Sequence, residues 1–219
     1  MRASSFLRFM RAAADEPPMP ASTHALATRR HWVFDMDGTL TVAMHDFTAI
    51  RRALEIRDDE DILAHIASLP DANARAKRAW LLEHERELAH ASRPAPGAAE
   101  LVRGLVARGC RLGILTRNLR ELALITLEAI GVADCFDPVD VLGREDAAPK
   151  PDPAGLHHLA ARWTVRPGEL VMVGDYAYDL ACARAAGAAS VLVNLPGNPW
   201  PELTDWRFDD CLGLHAALA

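Results

Sequence analysis

Short apolar runs alternate with segments of helical periodicity from His31 onward, and no other feature of this chain constrains its fold as strongly. Five runs have the length and apolar character of buried strands, at residues 32–34, 112–115, 139–142, 170–173 and 190–193. Apolar residues recur at helical spacing between these runs, and a glycine closes three of the helical segments, at positions 109, 131 and 187. Strands that alternate with helices form a parallel sheet covered by helices on both faces. The sequence therefore predicts an α/β fold with a three-layer, Rossmann-like core.

Residues 45–92 interrupt this alternation, because they contain no strand-like run. Their sequence is helical and carries charges of both signs. We therefore expect a small helical cap, inserted after the first strand. Residues 1–30 contain three prolines and no sustained periodicity, which predicts a flexible N-terminal extension. The expected organisation is an extension over 1–30, a core formed by 31–44 and 93–219, and a cap over 45–92.

The charge balance and the cysteines exclude several classes of protein. The chain has 24 Lys and Arg against 30 Asp and Glu, and this net charge of −6 has the wrong sign for binding a nucleic-acid backbone. Its longest uncharged stretch, 185–201, is broken by glycines and prolines, so it cannot form a membrane-spanning helix. The four cysteines form no C-x-x-C pair, which favours reduced thiols in a cytoplasmic protein over a zinc site or disulfides. We therefore expect neither a nucleic-acid partner nor a membrane partner.

Acidic and polar residues stand where the predicted strands end. Asp35 and Asp37 follow the first strand, and aspartate is unfavourable in strands. The corresponding positions hold Thr116 and Arg117 after the second strand, and Asp175, with Asp179 four residues later, after the fourth. In open parallel sheets the ligand crevice lies outside the carboxyl ends of the strands. We therefore expect these side chains to converge on one rim of the sheet.

A lysine and a metal ion are expected at the same rim. Lys150 follows the third strand in Pro149-Lys150-Pro151-Asp152-Pro153, where prolines restrict the backbone on both sides. Two carboxylates 4 Å apart repel by about 4 kcal/mol at an effective dielectric near 20, so the four aspartates need more compensation than one lysine. A cluster of carboxylate oxygens suits Mg²⁺, which also bridges substrate phosphates. The sequence therefore predicts a Mg²⁺ site.

These segments, in this order, resemble the haloacid dehalogenase superfamily, in a phosphatase branch similar to the phosphoglycolate phosphatases. The resemblance covers residues 31–195, and its motifs are Asp35-Met36-Asp37-Gly38-Thr39, Thr116, Lys150-Pro151-Asp152-Pro153, and Gly174-Asp175 with Asp179. It implies a Mg²⁺-dependent phosphatase that hydrolyses a small phosphorylated metabolite through an aspartyl-phosphate. We expect such a protein to act as a monomer or a homodimer.

The resemblance also implies a role for each catalytic residue. Asp35 would be the nucleophile, and Asp37 the general acid for the leaving group and then the base for the hydrolytic water. Thr116 would hydrogen-bond a phosphoryl oxygen, together with backbone N–H groups that include the one of Arg117. Lys150 would neutralise charge on the nucleophile and on the transferring phosphoryl group.

The expected metal ligands, again from the resemblance, are four aspartates. The Asp35 carboxylate, the Asp37 main-chain carbonyl and Asp175 would bind the ion, and Asp179 would lie in or next to its coordination shell. Asp179 has a second reading, because a carboxylate in the first turn of a helix is favoured by the helix dipole.

Some alternatives remain open at this point. Asp37 argues against dehalogenation, because a halide leaves without needing a proton. A phosphomutase would use the same motifs but protect its phosphoenzyme from water, and a non-catalytic ligand-binding or regulatory module would keep the fold without turnover. Arg117 and Tyr176 replace an asparagine and a small hydroxylic residue that are common in the family. Arg117 is either a substrate contact or a solvated charge at the rim.

Overall fold

A computed structural model describes residues 23–43, 47–60 and 62–219. The strands of this part form one sheet: β1 (His31–Phe34), β2 (Arg111–Leu115), β3 (Val141–Leu142), β4 (Leu170–Gly174), β5 (Ala189–Leu192) and β6 (Trp206–Arg207). Their order is β3-β2-β1-β4-β5-β6, and every neighbouring pair is parallel. His31 of β1 lies opposite Arg111 of β2 and Leu170 of β4. The carboxyl ends of β2, β1 and β4 are therefore side by side.

Helices connect these strands. α1 (Thr23–Ala27) precedes β1, and the chain between β1 and β2 contains α2 (Phe47–Ala53), α3 (Ile62–Ser68), α4 (Asp71–Ala91) and α5 (Ala98–Ala107). The helices after β2, β3, β4 and β6 are α6 (Arg120–Ala129), α7 (Ala154–Trp163), α8 (Ala177–Ala186) and α9 (Cys211–Leu218). The predicted α/β fold with a Rossmann-like parallel sheet is confirmed.

The sheet is buried on both faces, which explains why its strands are almost continuously apolar. Trp32 and Phe34 of β1 pack into one hydrophobic cluster, and Val33, between them, packs into another with Leu156 and Trp163 of α7. Successive side chains of a strand point to opposite faces, so each face receives its own layer of helices. Fully burying one such side chain contributes about 1.5–3 kcal/mol. Packing in these two clusters fixes the positions of β1, β2 and β4, after which the polar residues follow.

The described residues fall into two compact units. One comprises 47–60 and 62–88 and has a small core of its own, formed by Ile50, Leu54, Ile56, Ile66, Ala74 and Leu81. The other comprises 23–43 and 89–219 and contains the sheet. In the latter the N–H of Val42 donates to the carbonyl of Arg93 at 3.0 Å, so the chain leaves and re-enters this unit at neighbouring points. That the helical unit acts as a cap stays a prediction.

The predicted flexible extension over residues 1–30 is wrong for its last part. Residues 23–27 form α1, Leu26 is completely buried in the core cluster, and Arg108 donates to the carbonyl of Ala27 at 2.6 Å. A buried leucine and a satisfied carbonyl hold this segment in place despite its weak periodicity. The rest of the predicted extension, 1–22, lies outside the described residues.

The third strand is shorter than the predicted 139–142. A 3₁₀ turn occupies Pro138–Asp140, and the Asp137 side chain caps it by accepting from the N–H of Val139, so pairing with β2 begins at Val141. β6 and α9 were not expected. No helix in the described part of the chain is long and apolar enough to cross a membrane.

Candidate active site

A tight loop follows β1 and presents the first two aspartates. The N–H of Asp35 still donates to the carbonyl of Val173 in β4, at 2.9 Å, so Asp35 continues the strand. The Met36 carbonyl then accepts from the N–H groups of residues 39, 40 and 41, at 3.3, 3.0 and 3.1 Å, and this turns the chain sharply. Asp35 is buried and Asp37 is half-buried. Both therefore lie at the carboxyl end of the central strand.

Gly38 is required in this loop for two reasons. Its φ is +87°, a backbone conformation that residues other than glycine rarely adopt. A Cβ added at this position would also lie 2.4 Å from Oδ2 of Asp175. The absence of a side chain thus lets the loop after β1 approach the acidic residue after β4. Two motifs that are far apart in sequence meet through this close contact.

Lys150 is buried between two of the acidic residues. Its Nζ lies 2.5 Å from Oδ1 of Asp35 and 2.6 Å from Oδ1 of Asp179, and only 4% of the lysine is exposed. Burial alone would lower the Lys150 pKa, but the attraction of Asp179 and Asp35 outweighs it and raises that pKa. The lysine is therefore a fixed positive charge, and it stabilises the negative charge of the Asp35 carboxylate.

Asp179 occupies the first turn of α8 and also contacts the lysine. Its Oδ2 accepts from the N–H of Tyr176 at 3.2 Å, while its Oδ1 faces Lys150. Gly174 permits this approach, because an added Cβ there would lie 2.2 Å from the Asp179 Cβ. Burial raises the Asp179 pKa, and the positive charge of Lys150 opposes that increase. Asp179 thus does both things that the sequence suggested: it caps α8, and it belongs to the acidic cluster.

Asp175 has a weaker set of partners than the other two carboxylates. The Thr39 hydroxyl lies 3.3 Å from its Oδ1 and 3.2 Å from Oδ2 of Asp35. Burial, and then the negative charges of Asp35 and Asp179, raise the Asp175 pKa to about 7. A cation at this point would relieve the repulsion that raises the pKa.

The cluster fits a magnesium ion. One carboxylate oxygen from each of Asp35, Asp175 and Asp179 lies within 4.8 Å of the others. All three donors are hard oxygens, and they carry more negative charge than Lys150 compensates. The Asp37 carbonyl, expected as a further ligand, belongs to the same strand end, and its role stays a prediction.

Thr116 and Arg117 follow the neighbouring strand β2. Thr116 is buried, and its hydroxyl oxygen accepts from the N–H of Asn118 at 3.0 Å. Within the described part of the chain this hydroxyl has no acceptor, so its hydrogen can be donated to a ligand. Arg117 is exposed, and its guanidinium lies 5.2 Å from the centre of the Tyr178 ring. The structure thus places both residues at the rim, where Thr116 is buried and Arg117 is exposed to solvent.

Two further residues organise the site and were not assigned a role from the sequence. Thr39 bridges Asp35 and Asp175, as described above. Asn194 follows β5 and donates from Nδ2 to the carbonyls of Gly38 and Thr39, at 2.9 and 2.8 Å. The signal that singled out the other residues, a polar side chain at a strand end, applies to Asn194 as well.

Comparisons with known proteins agree with this geometry. Residues 30–187 match the family model described as haloacid dehalogenase-like hydrolase. A haloacid dehalogenase-like hydrolase domain-containing protein of Arabidopsis thaliana is 35% identical over 194 residues, which are 83% of this chain and 77% of the relative. A phosphoglycolate phosphatase of Chromobacterium violaceum is 32% identical over 184 residues, 73% of this chain and 82% of the relative. The solved structure of a hydrolase from Pseudomonas syringae superposes with a TM-score of 0.70 at 23% identity, covering 87% of this chain and 98% of that one.

Proposed function

Because the chain belongs to the haloacid dehalogenase-like hydrolase family, we propose that it is a Mg²⁺-dependent phosphatase that hydrolyses a small phosphomonoester through an aspartyl-phosphate. The observation that carries this proposal is the buried contact of Asp35 with Lys150, 2.5 Å long, at the carboxyl end of the central strand. A carboxylate held next to a fixed cation, and next to two further carboxylates, suits attack on a phosphorus atom more than it suits any structural role.

The first chemical step uses the residues of the loop after β1. An Asp35 oxygen forms a bond to phosphorus while the bond from phosphorus to the leaving-group oxygen breaks. Asp37 donates its proton to that oxygen, so the leaving group departs as an alcohol. Lys150 and the Thr116 hydroxyl stabilise the charge that develops on the nucleophile and on the phosphoryl oxygens.

The second step releases phosphate from the enzyme. Asp37, now ionised, takes a proton from a water molecule whose oxygen bonds to phosphorus, and the bond from phosphorus to Asp35 breaks. Mg²⁺, held by Asp35, the Asp37 carbonyl and Asp175 with Asp179 beside them, would stabilise negative charge on the phosphoryl group. Inorganic phosphate and the free carboxylate of Asp35 result.

The proposed partner is a small phosphorylated metabolite and neither a nucleic acid nor a membrane. Phosphoglycolate is the first compound to test, because the Chromobacterium violaceum relative is named as a phosphatase of that compound. All four cysteines are free, which supports a reducing compartment such as the cytoplasm. We propose a monomer or a homodimer.

The test measures phosphate release from a panel of phosphomonoesters with Mg²⁺ and with EDTA. We expect activity only with Mg²⁺, and we expect Asp35→Asn to lose it by about 10⁴-fold or more, because the nucleophile is gone. Asp134→Asn is the matched control, since Asp134 is exposed and pairs with Arg103 at the surface. Retained turnover in Asp35→Asn would contradict the nucleophile assignment. Isomerised sugar phosphate without free phosphate would favour a phosphomutase, and ligand binding without any turnover would favour a regulatory module.

A further inference from the structure

Four side chains form a row next to the acidic cluster, which we call the aromatic rim: Arg117 and Tyr176, which are exposed, and Tyr178 and Trp200, which are half-buried. The Arg117 guanidinium lies 5.2 Å from the centre of the Tyr178 ring. The Tyr176 ring is 5.2 Å from that of Tyr178 and 5.2 Å from that of Trp200, with interplanar angles of 74° and 73°. One cation and three rings are thus in continuous contact.

The fold accounts for Trp200, which packs against a hydrophobic cluster that includes Leu203, but it does not account for the exposed ring of Tyr176. The chain has only two tyrosines, and both belong to the aromatic rim. Tyr176 is 50% exposed, whereas Trp32 and Phe34 of the sheet are completely buried. Neither tyrosine hydroxyl makes a hydrogen bond within the described part of the chain, and the Arg117 guanidinium makes no hydrogen bond or ion pair there. An exposed tyrosine ring beside an exposed guanidinium is typical of a binding surface.

The aromatic rim is continuous with the site of phosphoryl transfer. Arg117 directly follows Thr116, Tyr176 directly follows Asp175, and Tyr178 directly precedes Asp179. β2 and β4 both pair with β1, so the contact between Arg117 and Tyr178 joins the two strand ends that flank Asp35. We therefore expect the leaving group of a phosphoryl group bound at Asp35 to reach these side chains.

The chemistry of the aromatic rim selects one kind of leaving group. A guanidinium stacked on a ring and an exposed tyrosine ring both offer flat faces, and flat heteroaromatic rings stack on such faces without any particular hydrogen-bond pattern. A carboxylate would need only the guanidinium, and it would leave the exposed ring of Tyr176 unexplained. The exposed ring of Tyr176, next to the pair of Arg117 and Tyr178, therefore favours a flat group over a second anion.

We propose that the aromatic rim binds a flat ring carried by the leaving group, as in a nucleoside monophosphate. This inference rests on the proposed function, since it assigns the substrate class of the same site. Phosphoglycolate has a carboxylate and no ring, so the two substrate classes lead to opposite results.

The experiment compares adenosine 5′-monophosphate with ribose 5-phosphate, which carries a hydroxyl group at C1 in place of the base. Binding is measured by calorimetry on the full chain with Asp35→Asn, with Mg²⁺ present, so that the result does not depend on turnover. We expect the nucleotide to bind about tenfold tighter or more, and we expect the additional change Tyr176→Ala to abolish most of that preference. Tyr176→Phe keeps the ring and is expected to keep the preference, which separates stacking from loss of a hydroxyl.

Each outcome is decisive. Equal affinities for the two compounds, or a preference that survives Tyr176→Ala, would overturn the role of the aromatic rim. Tighter binding of phosphoglycolate than of both compounds, weakened by Arg117→Ala and not by Tyr176→Ala, would assign the rim to a carboxylate instead. Absence of hydrolysis of every compound in the phosphomonoester panel by the wild-type chain with Mg²⁺ would refute the proposed function, while the calorimetric preference would still establish or reject the ring site.

Discussion

Replacing Lys150 by methionine tests whether this lysine holds the acidic cluster together. The change removes the positive charge and keeps a side chain of similar length. In the structure Nζ lies 2.5 Å from Asp35 and 2.6 Å from Asp179, and all three side chains are buried. Methionine would leave both carboxylates without their cation, next to a third carboxylate within 4.8 Å.

The magnitude follows from charge and burial. At these separations and an effective dielectric near 20, each pair attracts by about 6–7 kcal/mol, and most of this gain is offset by the cost of removing the ions from water. Removing one partner of a buried pair costs about 3–5 kcal/mol, because the remaining charge is unpaired. Two carboxylates lose their partner here, so we expect the free energy of unfolding to fall by about 5 kcal/mol. Since proteins of this kind are stable by about 5–15 kcal/mol, the variant remains measurable or is only marginally folded.

The assay is urea unfolding in EDTA at pH 7, followed by circular dichroism. A double variant, Lys150→Met with Asp179→Asn, keeps the result interpretable if the single variant is marginal. The double variant is expected to be more stable than Lys150→Met alone, because it buries one fewer carboxylate without a partner. Arg103→Met removes an exposed partner of Asp134 and is expected to change stability little. A loss below about 1 kcal/mol for Lys150→Met, or a double variant no more stable than the single one, would refute the reasoning.

Two further predictions concern the close contact after β1 and the thiols. Gly38→Ala is expected to lower phosphatase activity by about 100-fold, because its Cβ would displace the Asp175 carboxylate; Gly109→Ala has a similar φ of +72° but open space around it, and steady-state kinetics are expected to show little change. An equal loss in both variants would mean that backbone strain alone is responsible. Burial raises the pKa of all four thiols, to about 12 for Cys182 and Cys211, so these two are expected to react with a thiol reagent at pH 8 only after unfolding, whereas the half-buried Cys110 and Cys135 react slowly in the folded protein. Rapid labelling of all four thiols in native protein would show that the burial is not maintained in solution.

The fold could be predicted because its signals are local. The central strands are buried on both faces, so their apolar runs stand out against the polar turns that follow them. β6 was missed because two residues are too short to show a period. The third strand is shorter than predicted, since Val139 has the apolar, β-branched character of a strand residue but belongs to the turn at Pro138–Asp140. α1 was missed because its stability comes from the burial of Leu26 in a core formed by distant parts of the chain.

The sequence predicts which residues lie at the candidate site, but it does not predict which of them contact one another. The sequence singles out Asp35, Lys150, Asp175 and Asp179 by their positions after strands, and the structure brings the four together. The roles assigned to Asp37 and Thr116 stay predictions. Asn194 also follows a strand, but its role cannot be predicted from that position, because an asparagine after a strand is common in ordinary turns as well.

The amino-acid sequence by itself determined the α/β architecture and the edge of the sheet at which the acidic cluster lies, because helix and strand periods and the order of the chain contain that information. Only the tertiary structure decided which charges touch. Lys150 lies between Asp35 and Asp179, which are 115 and 29 positions away, and Arg117 stacks on Tyr178 across the end of a strand that neither belongs to. Such contacts depend on strand order and on the depth at which each side chain is buried, and electrostatic energies change severalfold with that depth. The membership of the acidic cluster could therefore be predicted from the sequence, whereas its electrostatics and the aromatic rim exist only in the folded chain.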